Sequence, residues 1–278
     1  MSIPALVSAE WLKENLAHPN LILLDATLAK PKSAGEVPHH NLQIPGSQYF
    51  DIDGAFSNHE TDLPHMMCDA VPFQTEARKL GIRKESIVVV YDKHGIYSAP
   101  RAWWMLKSMG LANVAVLDGG FPVWVEKGFE IEEQQGSSEG QGNFESAFDS
   151  KCFVDASYVF NHISDNDVLV LDARSEGRFY AKEPEPRVGL RGGHIPKSIN
   201  LPFPHVLEGY RMKASGDLKK LFAPLNIEGK KLVFSCGSGL TACIILFAAH
   251  LSGYEDLAIY DGSWSEWGQS NDLPVKTN

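Results

Sequence analysis

The sequence repeats itself at about half its length, and this repeat limits the possible folds more than any other feature. Four short motifs occur in the same order in both halves, at 21–26 and 168–173, 44–47 and 195–198, 86–92 and 231–236, and 114–120 and 257–263. The offset between paired motifs stays between 143 and 151 residues. Such regularity indicates a duplication, so we expect the 278 residues to form two domains of similar fold.

Each half has the pattern of an α/β domain. Short apolar runs rich in Val, Ile and Leu are typical of strands buried on both faces of a parallel sheet. These runs are 21–25, 87–91, 113–117, 168–172, 231–235 and 256–260. Helical patterns extend from Ala99 to Met109 and from Leu240 to Ser252. The sequence therefore predicts two tandem α/β domains, each a mainly parallel sheet flanked by helices.

A polar stretch separates the two halves. Residues 132–143 contain three glycines and no apolar residue, a composition typical of linkers. We accordingly predict a first domain at 1–131, a linker at 132–150 and a second domain at 151–278.

The composition disfavours a partner with a phosphate backbone. The chain has 25 Lys and Arg against 35 Asp and Glu, a net charge of −10, whereas nucleic-acid binding needs a basic face. We therefore expect small molecules or acceptor proteins as partners, and no nucleic acid. The N-terminal residues lack a signal-peptide pattern, and the apolar run at 242–251 is half as long as a bilayer span. The expected location is the cytoplasm, without contact with a membrane.

One of the four scattered cysteines follows a predicted strand directly. Cys236 directly follows the run 231–235, and two glycines and a predicted helix come after it. Ligands of parallel sheets bind at this edge, and the backbone N–H groups at a helix start stabilise a thiolate. The pattern predicts a nucleophilic thiolate in an anion cradle, the alternative being a buried structural cysteine beside an ordinary turn. The first half has Asp92 at this position, which cannot perform thiol chemistry, so we expect that half to be non-catalytic.

Other motifs that could explain this region are incomplete. The glycines after Cys236 are not followed by the Gly-Lys-Ser/Thr of a phosphate-binding loop. A cysteine phosphatase needs an arginine six residues after its cysteine, where this chain has Ala242. His65 and Cys68 have short metal-ligand spacing, but no second pair completes a zinc site. We therefore expect no metal.

With its duplicated α/β pattern and a cysteine at this position in the second half only, the chain resembles the tandem-domain rhodanese-like sulfurtransferases, whose active cysteine lies only in the second domain. The resemblance extends from Val7 to Trp267. The sequence Cys-Gly-Ser-Gly at 236–239 is similar to the 3-mercaptopyruvate branch of this family, whereas the thiosulfate branch typically has Cys-Arg-Lys-Gly.

The resemblance implies roles for particular residues. Arg178 and Arg187 match the arginines that bind the carboxylate and keto oxygen of the substrate, although each could also be a surface arginine among acidic neighbours. Asp53, His65 and Ser238 match a relay in which Asp53 orients His65, and His65 and Ser238 move a proton. Alternatively, Asp53 belongs to a turn and His65 caps a loop. The implied persulfide cradle is the loop Gly237, Ser238, Gly239, Leu240 and Thr241.

The implied activity is transfer of sulfur from 3-mercaptopyruvate through a Cys236 persulfide to cyanide, a small thiol or a thioredoxin-like protein, with release of pyruvate. It implies no metal or organic cofactor. Three alternatives stay open: a thiosulfate donor, a non-catalytic sulfur carrier or binding module, and a phosphatase despite Ala242. Cys68, close to His65 in the sequence, leaves open whether a second thiol takes part.

Overall fold

The structure, a computed structural model, describes residues 3–28, 39–134 and 140–278. Contacts between residues divide the chain into two units. The first comprises Met1–Asn58, Met67–Asp149 and Gly209–Met212, and the second comprises His59–Met66, Ser150–Glu208 and Lys213–Asn278.

The elements of both units are numbered in chain order. The strands are β1 (Leu6–Val7), β2 (Leu21–Asp25), β3 (Leu42–Gln43), β4 (Gln48–Tyr49), β5 (Ile87–Tyr91), β6 (Val114–Leu117), β7 (Glu132–Glu133), β8 (Phe153–Val154), β9 (Val168–Asp172), β10 (Ile199–Asn200), β11 (Leu207–Glu208), β12 (Arg211–Met212), β13 (Lys231–Ser235) and β14 (Leu257–Tyr260). The α-helices are α1 (Ala9–Asn15), α2 (Ala70–Lys79), α3 (Ala99–Ser108), α4 (Gly120–Glu126), α5 (Ala156–His162), α6 (Glu176–Phe179), α7 (Ser215–Phe222), α8 (Ala242–Leu251) and α9 (Ser263–Trp267). Short 3-10 helices span Ser150–Cys152, Phe203–Val206 and Ala223–Leu225.

The first unit contains a parallel sheet with the strand order β1-β6-β5-β2-β4. Its central strand β5 is buried at all five positions, which explains the uninterrupted apolar run in the sequence. One face of the sheet packs against α1 and α4, with Leu12 and Trp124 in the core. Asp92 follows β5 directly and therefore lies at the carboxyl edge of the sheet.

The second unit repeats this topology with the order β10-β9-β13-β14-β8, again parallel throughout. The predicted α/β class with mainly parallel sheets is confirmed. The sequence predicted a helix that starts at Leu240, whereas α8 begins at Ala242. Leu240 and Thr241 form a tighter turn in front of it, in which their carbonyls accept from the N–H groups three residues on, those of Cys243 and Ile244 (3.1 Å each).

The described residues of the predicted linker belong to the first unit up to Asp149, and Ser150 belongs to the second unit. Strand β7 pairs antiparallel with β3. Further on, the N–H of Phe144 donates to the carbonyl of Ile82 (3.1 Å), and that of Ala147 donates to the carbonyl of Met109 (2.9 Å). Residues 135–139 of this stretch lie outside the described residues.

The hydrophobic helix α8 is buried along most of its length, from Ala242 to Ala249, which accounts for its apolar sequence. No helix within the described residues is both long enough and apolar enough to cross a membrane.

Candidate active site

Cys236 lies at the carboxyl end of β13, the central strand of the second unit, where the sequence places it. Its side chain is buried. The loop from Cys236 to Thr241 connects the strand to α8, and the N–H of Trp264 in α9 donates to the carbonyl of Cys236 (3.0 Å). The thiol is therefore held on a fixed backbone next to a helix start.

The hydroxyl of Ser263 fixes the backbone of this loop through hydrogen bonds. Its Oγ accepts hydrogen bonds from the N–H of Cys236 (3.2 Å) and from that of Gly239 (3.0 Å), and donates to the carbonyl of Tyr260 (2.8 Å). Ser263 has a left-handed backbone conformation (φ 48°), which is unusual for a residue with a side chain. Its counterpart Gly120 in the first unit has φ 52°. The repeat therefore contained a signal for Ser263 that the sequence reasoning missed.

One implied member of the cradle has a hydrogen-bond partner within the protein. The N–H of Gly239 donates to the hydroxyl of Ser263. The N–H of Ser265 likewise donates to the carbonyl of Gly237 (2.9 Å), which fixes the other glycine of the loop.

The two predicted substrate arginines both lie beside this loop. A methyl group placed on Gly237 would be 3.1 Å from Nη2 of Arg178 and 3.5 Å from Nη1 of Arg187. A side chain at position 237 would therefore press against the end of Arg178. The structure brings Arg178 and Arg187 together at the residue that follows Cys236.

A buried chain of charges stands behind Arg178. Asp172 and Glu185 both accept hydrogen bonds from Arg174, at 2.6 Å and 2.8 Å, and Glu185 also accepts from Nη2 of Arg178 at 2.6 Å. The Arg174 guanidinium stacks on the Trp264 ring at 4.1 Å. Burial by itself lowers the pKa of Arg174, but the two carboxylates more than offset this, so its pKa lies above the usual value. Sequence reasoning missed Arg174 and Glu185, because buried partners of substrate-binding groups have no short motif of their own.

His65 comes from the first half of the sequence but belongs to the second unit, through the segment His59–Met66. Its Nδ1 lies 2.9 Å from Oγ of Ser238. The backbone of His65 is left-handed (φ 63°), so the surrounding structure holds it in an unfavourable conformation. The predicted pair of His65 and Ser238 is thus in hydrogen-bond contact. Asp53 lies in the first unit, in a turn at 52–56, and its orienting role stays a prediction.

The equivalent loop of the first unit binds a carboxylate, that of Asp92. The carboxylate of Asp92 accepts four backbone N–H bonds, from His94, Tyr97, Ser98 and Ala99, all between 2.8 and 2.9 Å. The aspartate fills the cradle that its own loop forms. Counted from the strand end and from the helix start, the corresponding N–H groups of the second unit belong to Ser238, Leu240, Thr241 and Ala242.

The other cysteines lack these features. Cys68 is buried in the first unit, and burial raises its pKa to about 11, so it is a neutral thiol at physiological pH. Cys243 is buried in α8, where its Sγ donates to the carbonyl of Gly239 (3.3 Å). Throughout the described ranges, no group of three or more His, Cys, Asp and Glu residues is arranged to hold a metal ion.

Comparison with known proteins agrees with this architecture. Residues 8–127 and 155–270 each match the model of the rhodanese-like domain. The chain therefore belongs to the rhodanese-like family, and the resemblance seen in the sequence is confirmed.

Within this family, the chain is similar over its whole length to 3-mercaptopyruvate sulfurtransferases. It is 36% identical over 281 residues to the 3-mercaptopyruvate sulfurtransferase of Escherichia coli, covering 99% of both proteins. It is also 36% identical to thiosulfate/3-mercaptopyruvate sulfurtransferase 1, mitochondrial, of Arabidopsis thaliana, covering 98% of this chain and 78% of that protein. The crystal structure of SseA from Escherichia coli superposes with a TM-score of 0.83 at 33% identity, covering 94% of this chain and 99% of that one.

Proposed function

We propose that this protein takes the sulfur atom of 3-mercaptopyruvate onto Cys236 as a persulfide, releases pyruvate, and passes the sulfur to an acceptor. The observation that carries the proposal is the position of Cys236. It lies at the carboxyl end of the central strand, in a loop flanked by two guanidinium groups and by the His65–Ser238 pair. No other cysteine of the chain has such surroundings within the described residues.

Arg178 and Arg187 bind the substrate. A guanidinium group offers paired N–H donors that match a carboxylate or an α-keto acid. Since both groups lie against Gly237, a substrate held there has its sulfur close to the residue before it, Cys236. Binding thus orients the donor for attack by the thiolate.

The sulfur-transfer step moves one sulfur atom to Cys236 and one proton to the pyruvate that leaves. The Cys236 thiolate attacks the sulfur of 3-mercaptopyruvate, an S–S bond forms, and the C–S bond breaks. The electron pair of the C–S bond stays on C3 as the enolate of pyruvate, which takes up a proton to give pyruvate. Ser238 and His65, 2.9 Å apart, transfer this proton, which comes in net from the thiol of the donor.

The persulfide anion then lies among the backbone N–H groups of the loop. Asp92 in the first unit supports this assignment, because its carboxylate is held by four such groups in the equivalent loop. We assign the cradle to the N–H groups of Ser238, Leu240, Thr241 and Ala242. The first domain is non-catalytic, since its cradle holds a carboxylate instead of a thiol.

A second nucleophile removes the outer sulfur and restores the thiolate. Cyanide, a small thiol or the thiolate of a thioredoxin-like protein has the required chemistry, and the two half-reactions predict ping-pong kinetics. A sulfur carrier would instead react once and stop, so repeated pyruvate release with a small thiol acceptor distinguishes the enzyme from a carrier. The cytoplasmic location stays a prediction.

Mass spectrometry of the intact protein tests the first half-reaction. Incubation with 3-mercaptopyruvate should add one sulfur, about 32 Da, to the wild type but not to Cys236→Ser. Cys68→Ser is the matched control and should be labelled like the wild type. Absence of label, or equal label on Cys236→Ser, would refute the proposal.

The competing donor is thiosulfate, which the name of the Arabidopsis relative includes. The loop of this chain has neutral residues at 237 and 238, where the thiosulfate branch has cations. We therefore expect a higher kcat/KM for 3-mercaptopyruvate than for thiosulfate. Arg187→Gly should lower kcat/KM for 3-mercaptopyruvate by about tenfold to a hundredfold, the effect of losing a charge-assisted hydrogen bond. Lys182→Gln, which changes an exposed cation of the same segment, is the control.

A further inference from the structure

Glu185 lies between two arginines and is almost completely shielded from water. Its side chain is 2% exposed. One oxygen accepts from Nη1 of Arg174 at 2.8 Å, and the other accepts from Nη2 of Arg178 at 2.6 Å. Nε of Arg178 also donates to this carboxylate at 3.2 Å, so Arg178 binds it through two nitrogens.

The position of this carboxylate is fixed. Pro184 and Pro186 flank Glu185 and restrict its backbone. Its partner Arg174 is held in turn by Asp172, by the carbonyl of Gly193 (2.9 Å) and by the ring of Trp264. Glu185 therefore cannot turn away, and its negative charge stays beside Arg178.

This arrangement changes what Arg178 offers to a sulfur donor. Nη2 of Arg178 is both the atom nearest to a methyl group on Gly237 and the atom closest to Glu185. The guanidinium at the Cys236 loop is thus balanced by a carboxylate that water does not screen. A donor at the loop is attracted by Arg178 and repelled by Glu185, and the repulsion grows with the charge of the donor.

We propose that Glu185 is a specificity-determining residue, which makes the site favour sulfur donors with one negative charge over donors with two. The proposal rests on the function proposed above. 3-Mercaptopyruvate carries one negative charge at neutral pH, on its carboxylate, whereas thiosulfate carries two. The site therefore selects its donor by the charge of a buried carboxylate as well as by the neutral residues of the loop.

The first experiment compares the two donors on Glu185→Gln. With thiosulfate, the Cys236 thiolate attacks the outer sulfur, an S–S bond to the protein forms, and sulfite leaves with the electron pair of the broken bond. Removing one negative charge at the loop should raise the ratio of kcat/KM for thiosulfate to that for 3-mercaptopyruvate by about fivefold or more. Glu183→Gln removes the same charge from an exposed residue of the segment, which accepts from Ser175, and should leave the ratio within about twofold of the wild type. A folded Glu185→Gln enzyme with an unchanged or lower ratio would overturn the proposal.

A second experiment needs no variant. Sulfate and methanesulfonate are both tetrahedral anions, with two charges and one charge respectively, and each is tested as a competitive inhibitor of the wild type. We expect the inhibition constant of sulfate to be no lower than that of methanesulfonate. Inhibition by sulfate that is tenfold stronger would show that the site favours a second charge, and the proposal would be wrong. Failure of the proposed function is seen separately, because wild-type Cys236 would then gain no sulfur from 3-mercaptopyruvate.

Discussion

Nδ1 of His65 lies 2.9 Å from Oγ of Ser238, although 173 positions separate the two residues in the sequence. Ser238 stands two residues after the cysteine, and the segment that carries His65 packs with the second unit. The proton transfer proposed for this pair therefore depends on a contact between distant parts of the chain.

This contact predicts that the two side chains act as one unit. Ser238→Ala and His65→Gln should each lower kcat with 3-mercaptopyruvate by about tenfold to a hundredfold, because each interrupts the same proton transfer. The double variant should lose little more than either single variant. His59→Gln, in the same segment, is the control. Steady-state kinetics of the four variants would contradict the shared role if the two single losses simply added.

Ser263 should stabilise the loop that follows β13, because its hydroxyl accepts from the N–H groups of Cys236 and Gly239. Ser263→Ala leaves both buried groups without this acceptor and should reduce the free energy of unfolding by about 2 kcal/mol. Ser263→Gly loses the same bonds but adopts the left-handed backbone more readily, so it should be the more stable variant. Urea unfolding measures both. An alanine variant as stable as the wild type would show that the hydroxyl does not hold the loop.

The carboxylate of Asp92 should stabilise the first unit, since four backbone N–H groups donate to it. Asp92→Ala should lower the free energy of unfolding by about 3 kcal/mol or more. Asp92→Asn should lose less, because the amide oxygen still accepts hydrogen bonds. Asp69→Ala removes an exposed carboxylate that caps no helix N–H, and denaturant unfolding should show a change within about 0.5 kcal/mol. Equal losses in Asp92→Ala and Asp69→Ala would disprove the role of the cradle.

His194 should make the protein less stable in mild acid. Burial lowers the pKa of His194, and the ring stacks on Phe179 at 3.8 Å. The unfolded chain therefore binds a proton more readily than the folded one, and stability present above about pH 6.5 is lost as the pH falls. Thermal unfolding at about pH 7.5 and pH 5.5 should show a smaller fall in Tm for His194→Gln than for the wild type. His205→Gln, an exposed histidine, should behave like the wild type, and an equal fall in both variants would contradict the prediction. Some fall persists in His194→Gln because burial also lowers the pKa of His94.

Much of the fold could be predicted because it follows from local patterns. Strands buried on both faces require continuous apolar runs, and β2, β5, β9 and β13 coincide with the runs in the sequence. The bounds next to the loop were less predictable. Helix α8 starts two residues later than expected, because the carbonyls of Leu240 and Thr241 accept from residues three positions on and form a tighter turn. The loop in front of this turn is held by Ser263, a residue 24 positions after Gly239.

The sequence by itself determined the duplicated α/β architecture, the single cysteine that follows a central strand, and the two arginines that the family resemblance implied. Periodicity, repeats and short motifs carry this information, because they reflect contacts between neighbouring residues. The family resemblance also implied the pair of His65 and Ser238, but only the tertiary structure gave its geometry. Only the tertiary structure decided that Ser263 accepts from the N–H of Gly239 and that Glu185 is buried against Arg178. These relationships join residues from separate turns and elements. Their energies come from burial and from directed hydrogen bonds that exist only after the chain has folded.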